Sequence, residues 1–242
     1  MKIIVLQHIK IEDPGFIKDL MIEDGAKITT IELDEGEKIP KNLNEYDAMF
    51  CMGGPMDTWM ENKYPWLINE KEKIKEFVID LKKPYLGFCL GCQLLGEVVG
   101  GKVVKTNNPE IGMLDVSFNE NKENDILFSD FPDKINSLQW HSYEVKGLEN
   151  NEDIILLASS PETKYQIFRY QHHAYGIQFH IEIKDTTVKD WGCVPEYKSA
   201  LEKKLGYGAL EKFDNEAQIN MTKMNKYSKI LYSKFKSDIL KI

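Results

Sequence analysis

A cysteine between two glycines is the strongest chemical signal in this chain. The segment Gly87-Phe88-Cys89-Leu90-Gly91 lies where a buried strand is predicted to turn into a helix. A sharp turn of this kind presents one reactive side chain above a sheet, and the flanking glycines avoid clashes within it. Backbone N–H groups at a helix N-terminus also favour a thiolate. Cys89 is therefore a candidate nucleophile, although the pattern alone also fits a buried structural cysteine.

A histidine and a glutamate two residues apart form the second signal. His180 and Glu182 come at the end of the apolar segment 174–181, which is predicted to be a strand. Side chains at i and i+2 of a strand point to the same face, and α/β active sites form where strands end. A thiol needs a base, and the base needs a carboxylate that orients it. The pair fits both roles, while an incidental salt bridge is the alternative when the pattern is taken alone.

Two glycines after a third predicted strand could bind a developing negative charge. Met52-Gly53-Gly54-Pro55 follows the predicted strand 46–52. Backbone N–H groups exposed at such a position can donate to the oxyanion of a tetrahedral intermediate. A plain glycine turn explains the segment equally well.

The elements that must position these residues alternate between strand and helix in the first hundred residues. Predicted strands cover 2–7, 26–33, 46–52 and 84–88, and predicted helices cover 14–24, 66–82 and 90–99. This alternation predicts an α/β fold of three layers, with a mostly parallel twisted sheet and helices on both faces.

The second half of the chain has a different pattern. Further strands are predicted at 102–105, 111–118, 136–140, 154–158, 165–170 and 174–181, and helices from about 185 onward. The run of strands favours antiparallel additions at the sheet edge. We predict one domain over residues 1–185 and a helical C-terminal extension, 186–242, that packs on the same domain.

Composition excludes several classes of protein. The net charge of the 242 residues is −8, and Arg169 is the one arginine, so we expect no nucleic-acid partner. There is no apolar run of 18 residues, and the apolar start is too short for a signal peptide, so we expect no membrane span and a cytoplasmic location. No ligand spacing typical of a metal site is present, so we expect no metal or cofactor.

The order of the three chemical segments resembles the class I glutamine amidotransferases. The chain is similar to the stand-alone members related to the glutaminase domain of GMP synthetase, closely over residues 1–185. The similarity extends to segments outside the three motifs, namely Tyr64–Leu67, Gly100–Val103, Glu110–Gly112, Gln139–His141, Ala158–Pro161 and Gln166–Arg169.

The resemblance implies a flavodoxin-like fold and a set of roles. Cys89 would form a γ-glutamyl thioester, His180 would be its base and Glu182 would orient the base. The N–H groups of Gly54 and Leu90 would form the oxyanion hole. The substrate, glutamine or another γ-glutamyl compound, would be bound by Gly53, Gln93, Gln139, Trp140 and His141. A separate synthetase subunit could accept the ammonia.

The sequence departs from the family at two places. Ile181 stands where the family often has proline, which leaves the catalytic pair intact. Trp140-His141 is followed by Ser142, where relatives often carry a Gly-Asp whose acid can hold the substrate's amino group. This second change leaves open a free-standing γ-glutamyl peptide or amine hydrolase, with a non-catalytic regulatory protein as a third reading. The spacing Cys89-x-x-Cys92 is also compatible with a redox role.

Overall fold

Nine strands form one mixed sheet, in the order β2-β1-β3-β4-β9-β8-β7-β5-β6 from edge to edge. In this computed structural model, which describes residues 1–241, the strands are β1 (Lys2–Gln7), β2 (Lys27–Glu32), β3 (Ala48–Cys51), β4 (Tyr85–Phe88), β5 (Lys102–Phe118), β6 (Lys134–Lys146), β7 (Ile154–Ser159), β8 (Ile167–Tyr170) and β9 (Ala174–Ile177). Pairing is parallel from β2 through β9 and antiparallel from β9 through β6. The predicted α/β fold with antiparallel additions is confirmed.

Helices cover both faces of the parallel strands. They are α1 (Gly15–Glu23), α2 (Trp66–Lys75), α3 (Leu90–Val98), α4 (Thr187–Trp191), α5 (Pro195–Leu205) and α6 (Ala209–Lys234). Alternate side chains of β1 enter two different cores: Ile3 and Val5 pack with α1 and α6, whereas Ile4 and Leu6 pack with α2 and α3. Because both faces are covered, residues 3–6 of β1 form an unbroken apolar run.

The segments 102–105 and 111–118, predicted as two strands, form the single long strand β5. Its pairing with β6 shifts register between Lys105 and Glu110, and this irregularity takes up the residues between the two predicted strands. The polar segment that looked like a loop in the sequence is therefore a bulged part of the ladder.

The strand that was predicted to carry His180 ends earlier than expected. β9 stops at Ile177, and the backbone of His180 instead forms an isolated antiparallel bridge with Leu138 of β6. Two hydrogen bonds make this bridge: His180 N–H donates to Leu138 O at 2.9 Å, and Leu138 N–H donates to His180 O at 3.2 Å. The prediction of a continuous strand over 174–181 was wrong, because the chain leaves the parallel ladder to pair with the antiparallel half.

The C-terminal helices share the main hydrophobic core with the rest of the chain. Trp140 of β6 contacts Trp191 of α4, Tyr197 of α5 and Phe213 of α6, with ring centroids 5.1–6.0 Å apart. These contacts place α4 and α5 next to the end of the sheet where the chain turns at Cys89 and His180. Within residues 1–241, no helix combines the length and the apolar character needed to cross a bilayer.

Candidate active site

Cys89 lies at the sharp turn between β4 and α3. Its φ of +50° is in the left-handed region, which a non-glycine residue seldom adopts, and its N–H donates to Ile177 O at 2.9 Å. A side chain at Gly91 would overlap the carbonyl of Cys51, so the start of α3 can approach β3 only because residue 91 is glycine. The turn predicted from the two glycines is present in the structure.

His180 and Glu182 meet although they do not share a regular strand. His180 Nδ1 lies 2.6 Å from Glu182 Oε1, and both side chains are buried. The second carboxylate oxygen accepts from the N–H of Ile181 at 2.9 Å, which fixes the carboxylate. Burial lowers the pKa of His180, but the Glu182 carboxylate and the adjacent Cys89 thiol outweigh burial and hold that pKa well above its usual value. The thiol and the imidazole are thus neighbours.

Two elements outside these segments hold the pair of His180 and Glu182 in place. The indole of Trp191 packs edge-on against the His180 ring at 4.6 Å between centroids. The N–H of Phe16 donates to Glu182 O at 2.6 Å, and Gly15, at φ +50°, lies directly against the same carbonyl. The first turn of α1 and the C-terminal helices therefore both support the pair of His180 and Glu182.

A cavity of about 700 Å³ opens above Cys89. Its volume lies in the range of small-molecule sites, which is roughly 300–1,000 Å³. One wall comes from the loop after β3 and the start of α3, another from β5 and β6, and a third from α5. Among its lining residues are Gly54, Asp57, Cys89, Leu90, Gln93, Lys105, Trp140, His141, Tyr143, Glu196, Tyr197 and Lys203.

Gly54 and Leu90, predicted to form an oxyanion hole, both line the cavity beside Cys89. Among the hydrogen bonds of residues 1–241, neither of their N–H groups donates to a protein acceptor. Gly53 lies behind the cavity wall, where its carbonyl accepts from His8 Nδ1 at 2.8 Å. The two N–H groups are therefore free to bind a ligand atom, and Gly53 is not positioned to contact one.

Of the residues predicted to bind substrate, Gln93, Trp140 and His141 line the cavity. The Gln93 amide donates to Gln178 Oε1 at 3.2 Å and to Tyr143 O at 3.3 Å. Gln139 is not brought to the cavity: its side chain is fully buried and its oxygen lies 3.0 Å from His141 Nε2. Gln139 therefore orients the His141 ring from behind.

A buried carboxylate that sequence reasoning missed lies next to His180. Glu12 accepts a hydrogen bond from the Tyr197 hydroxyl, and its other oxygen lies close to Gly53. Burial raises the pKa of Glu12, and the nearby Glu182 carboxylate adds to this, although His180, Tyr197 and His8 act in the opposite direction. No local pattern marks this group, because its partner Tyr197 is 185 residues away.

A second cysteine, histidine and glutamate cluster is fully buried behind the cavity wall. The ligand atoms of His8, Cys51 and Glu70 lie within 4.8 Å of one another, a spacing that a metal ion could bridge. Both ring nitrogens of His8 already have partners, Gly53 O at 2.8 Å and Glu70 Oε1 at 2.9 Å, and the Cys51 thiol donates to Glu70 at 3.4 Å. These hydrogen bonds join all three residues, although Glu70 Oε2 has no hydrogen-bond partner among the described residues. Cys51, unlike Cys89, does not line the cavity.

We expect Glu12→Gln to change the pH dependence of turnover more than its magnitude at the optimum. An ionised Glu12 adds a negative charge beside His180 and stabilises the imidazolium, so the variant should move the limb of kcat/KM that reports His180 to lower pH. The measurement is the full pH profile of the glutamate release that the family resemblance implies. Glu211→Gln is the matched control, because Glu211 is an exposed carboxylate that does not line the cavity and whose charge is screened by solvent. Identical profiles for Glu12→Gln and wild type would contradict the expected coupling.

Comparison with known proteins identifies the family of the chain. Residues 16–190 match the family described as glutamine amidotransferase class-I. The chain is 32% identical over 151 residues to a subunit of the glutamine-hydrolysing GMP synthase of Sulfurisphaera tokodaii, and the match covers 62% of this chain and 74% of that protein. A crystal structure of a glutamine amidotransferase from Thermotoga maritima is 28% identical and superposes with a TM-score of 0.85 over 100% of this chain and 99% of that one.

A more distant structure shares the fold. The glutamine amidotransferase from Methylobacillus flagellatus is 18% identical and has a TM-score of 0.80 over 98% of this chain and 95% of that one. The helical segment after residue 190 is thus part of a fold found in full in other solved structures. The chain belongs to the class I glutamine amidotransferase family.

Proposed function

We propose that this protein hydrolyses a γ-glutamyl amide through a thioester on Cys89, and that glutamine is the first candidate substrate. The proposal rests above all on one observation: Cys89 opens onto the cavity beside His180, whose Nδ1 is held 2.6 Å from Glu182 Oε1. A thiol, a base and a carboxylate that orients the base are what nucleophilic hydrolysis of an amide requires. The cluster of Cys51, His8 and Glu70 has the same residue types but no contact with the cavity.

The proposed reaction has two steps. Cys89 Sγ bonds to the amide carbon while His180 takes the thiol proton, and the N–H groups of Gly54 and Leu90 stabilise the oxyanion. Breakage of the carbon–nitrogen bond, with return of the proton from His180, releases ammonia and leaves the thioester. Water then attacks the thioester carbon with His180 as base, which releases glutamate and restores the thiol.

The polar residues of the cavity would bind the γ-glutamyl group. We assign Gln93, Trp140 and His141 to the walls around it, with Gly53 and Gln139 supporting them from behind. No aspartate follows His141, so another acid must hold the substrate's amino group. Asp57 and Glu196 are carboxylates on the cavity wall and are the two candidates for this contact.

A separate chain would use the ammonia. The relatives from Sulfurisphaera tokodaii, Picrophilus torridus and Sulfolobus acidocaldarius are each named as one subunit of a glutamine-hydrolysing GMP synthase, a name that implies a second subunit in those proteins. From these relatives we infer that a separate synthetase subunit supplies the acceptor chemistry.

Hydrolysis of a γ-glutamyl peptide or amine is a second candidate, favoured by the size and charge of the cavity. A volume of about 700 Å³ leaves room beyond a glutamine molecule. Lys105 and Lys203 line the cavity on the sides formed by β5 and α5, where they could meet an acidic leaving group. The chemistry at Cys89 would be the same, and only the leaving amine would differ.

The experiment that tests the function is a measurement of glutamate release by the purified chain. We expect the chain to release glutamate from glutamine. If the second candidate holds, kcat/KM should be higher for a γ-glutamyl dipeptide with an acidic leaving residue than for glutamine. In that case Lys203→Ala should lower kcat/KM for the dipeptide by up to about fivefold, the size expected for an exposed charge pair, and leave glutamine turnover unchanged. Lys198→Ala is the control, because Lys198 is exposed on the same helix without lining the cavity. A folded protein that releases glutamate from none of these substrates would disprove both candidates.

A further inference from the structure

The ion pair of His8 and Glu70 lies behind the loop that carries Gly53 and Gly54. His8 follows β1 directly, Glu70 is in α2, and both side chains have no exposed area. Their contact, His8 Nε2 to Glu70 Oε1 at 2.9 Å, is made without access to the cavity. Burying two such groups costs free energy unless they are well paired, so this arrangement calls for an explanation.

The proton positions around His8 follow from its partners. A carbonyl oxygen can only accept, so the 2.8 Å contact with Gly53 O requires that His8 Nδ1 carry a proton and donate it. On the other side, Glu70 Oε1 holds Nε2, and the ring of Trp66 stacks on the imidazole at 5.6 Å with an interplanar angle of 30°. Glu70 and Trp66 thus fix the ring in the plane and orientation that direct Nδ1–H to Gly53.

The hydrogen bond to Gly53 also sets the direction of the next N–H group. All peptide bonds in residues 1–241 are trans. In a planar trans peptide the carbonyl and the N–H point in opposite directions, so holding Gly53 O towards His8 turns the N–H of Gly54 away from it. Gly54 lines the cavity together with Cys89 and Leu90, and that N–H group donates to no protein acceptor among the described residues.

Two adjacent glycines would otherwise leave this peptide free to rotate. Glycine occupies left-handed and right-handed conformations with similar ease, so a Gly-Gly peptide can turn over at little cost. At both positions a side chain would collide with neighbours: the Cβ at Gly53 with Glu12 and that at Gly54 with Met56 and His8. The loop therefore requires glycine for space, and something other than side-chain sterics must fix the peptide.

We propose that His8 and Glu70 form a positioning pair that locks the Gly53–Gly54 peptide with the Gly54 N–H directed at the oxyanion. This inference rests on the proposed function and extends it to residues that touch neither substrate nor Cys89. The loss of one oxyanion donor lowers kcat by about 100- to 1,000-fold, which sets the scale of the effect. Substrate affinity should change little, because the donor acts on charge that develops during the reaction.

Two substitutions at position 8 distinguish the positioning of the Gly53–Gly54 peptide from other roles of the histidine. In His8→Asn, the side-chain amide nitrogen takes the place of Nδ1 and can still donate to Gly53 O. In His8→Gln, the amide nitrogen takes the place of Nε2 and reaches Glu70 instead. We expect His8→Asn to keep kcat within about tenfold of wild type and His8→Gln to lose about 100-fold, with KM unchanged in both. Glu70→Gln should resemble His8→Asn, since an amide can donate to Nε2 while Nδ1–H stays on Gly53.

A second readout distinguishes the oxyanion donor from the nucleophile. Alkylation of Cys89 by iodoacetamide, followed by mass spectrometry of its peptide, depends on the thiolate and needs no oxyanion hole. Its rate should be the same in wild type and in all three variants. If His8→Gln does not fold, Glu70→Met provides the disruption, because it leaves the imidazole without the partner that orients it, and the same loss of kcat is expected.

The outcomes separate this inference from the function on which it rests. Equal kcat values for His8→Asn and His8→Gln in an active enzyme would overturn only the proposed positioning role of His8 and Glu70. Loss of alkylation in parallel with loss of turnover would also overturn it, by showing that His8 acts on the thiol or on the fold. A wild-type protein that releases no glutamate would overturn the proposed function itself, and with it the positioning role of His8 and Glu70.

Discussion

Replacement of Cys89 by alanine is expected to abolish glutamate release while the protein remains folded. Cys89 is the group that would form the covalent intermediate, and loss of a nucleophile that works together with a base lowers kcat by about a million-fold. His180→Ala should be about as damaging, because the thiol would lose its base. Glu182→Gln should retain more activity, since an amide can still orient the ring although it stabilises the imidazolium less well.

The measurement is steady-state glutamate release together with thermal unfolding of each variant. Cys193→Ser is the matched control, because Cys193 is a free cysteine that is exposed on the C-terminal segment. A second control, Cys51→Ala, removes the thiol of the buried cluster and should leave most of the turnover. Turnover close to that of wild type in folded Cys89→Ala, or loss of turnover in Cys51→Ala alone, would refute the assignment of the nucleophile.

Replacement of Gly15 by alanine is expected to have the second largest effect, although Gly15 lies outside the cavity. Gly15 has a φ of +50°, and a Cβ there would overlap the carbonyl of Glu182. The left-handed conformation costs a non-glycine residue about 1–2 kcal/mol, and the overlap adds to this because the atom it meets belongs to the backbone. Glu182 must then move, and a displacement of about 1 Å of catalytic groups can cost 100-fold in rate.

Gly25→Ala is the matched control for this prediction. Gly25 also has a left-handed φ, +68°, but a Cβ there meets no atom within 4 Å. It should therefore lose about 1–2 kcal/mol of stability from backbone strain and keep the activity of wild type. Measuring the free energy of unfolding and kcat for both variants separates strain from overlap. Equal kcat values in the two variants would show that Glu182 does not depend on the packing at Gly15.

The signals that predicted the site were those in which neighbours in sequence are also neighbours in space. The turn at Cys89 and the pair of His180 and Glu182 need only a few consecutive residues, so a short segment of sequence largely determines their geometry. Even there the local pattern had limits: His180 lies in a bridge with Leu138 and not on β9, because backbone pairing with a distant strand decided its conformation.

The supporting residues could not be predicted, because their partners are far apart in the chain. His8 and Glu70 are 62 residues apart, and Glu12 and Tyr197 are 185 residues apart, so no periodicity or motif joins them. Gln139 shows the converse: the resemblance assigned it to the pocket, but the bridge and the buried Gln166 hold it behind His141. Burial and hydrogen-bond partners are properties of the folded chain, and only the structure supplies them.

The position of α4 and α5 late in the chain has a consequence for the synthesis of the protein. A ribosome adds about 5–20 residues per second, and the N-terminal part of the chain emerges from it first. The parallel strands β1 to β4 can therefore pair while the C-terminal helices are still unsynthesised, but α5 cannot form its wall of the cavity and Trp191 cannot pack on His180 until more than 190 residues have been made. We expect nascent chains that lack α4 and α5 to bind no substrate.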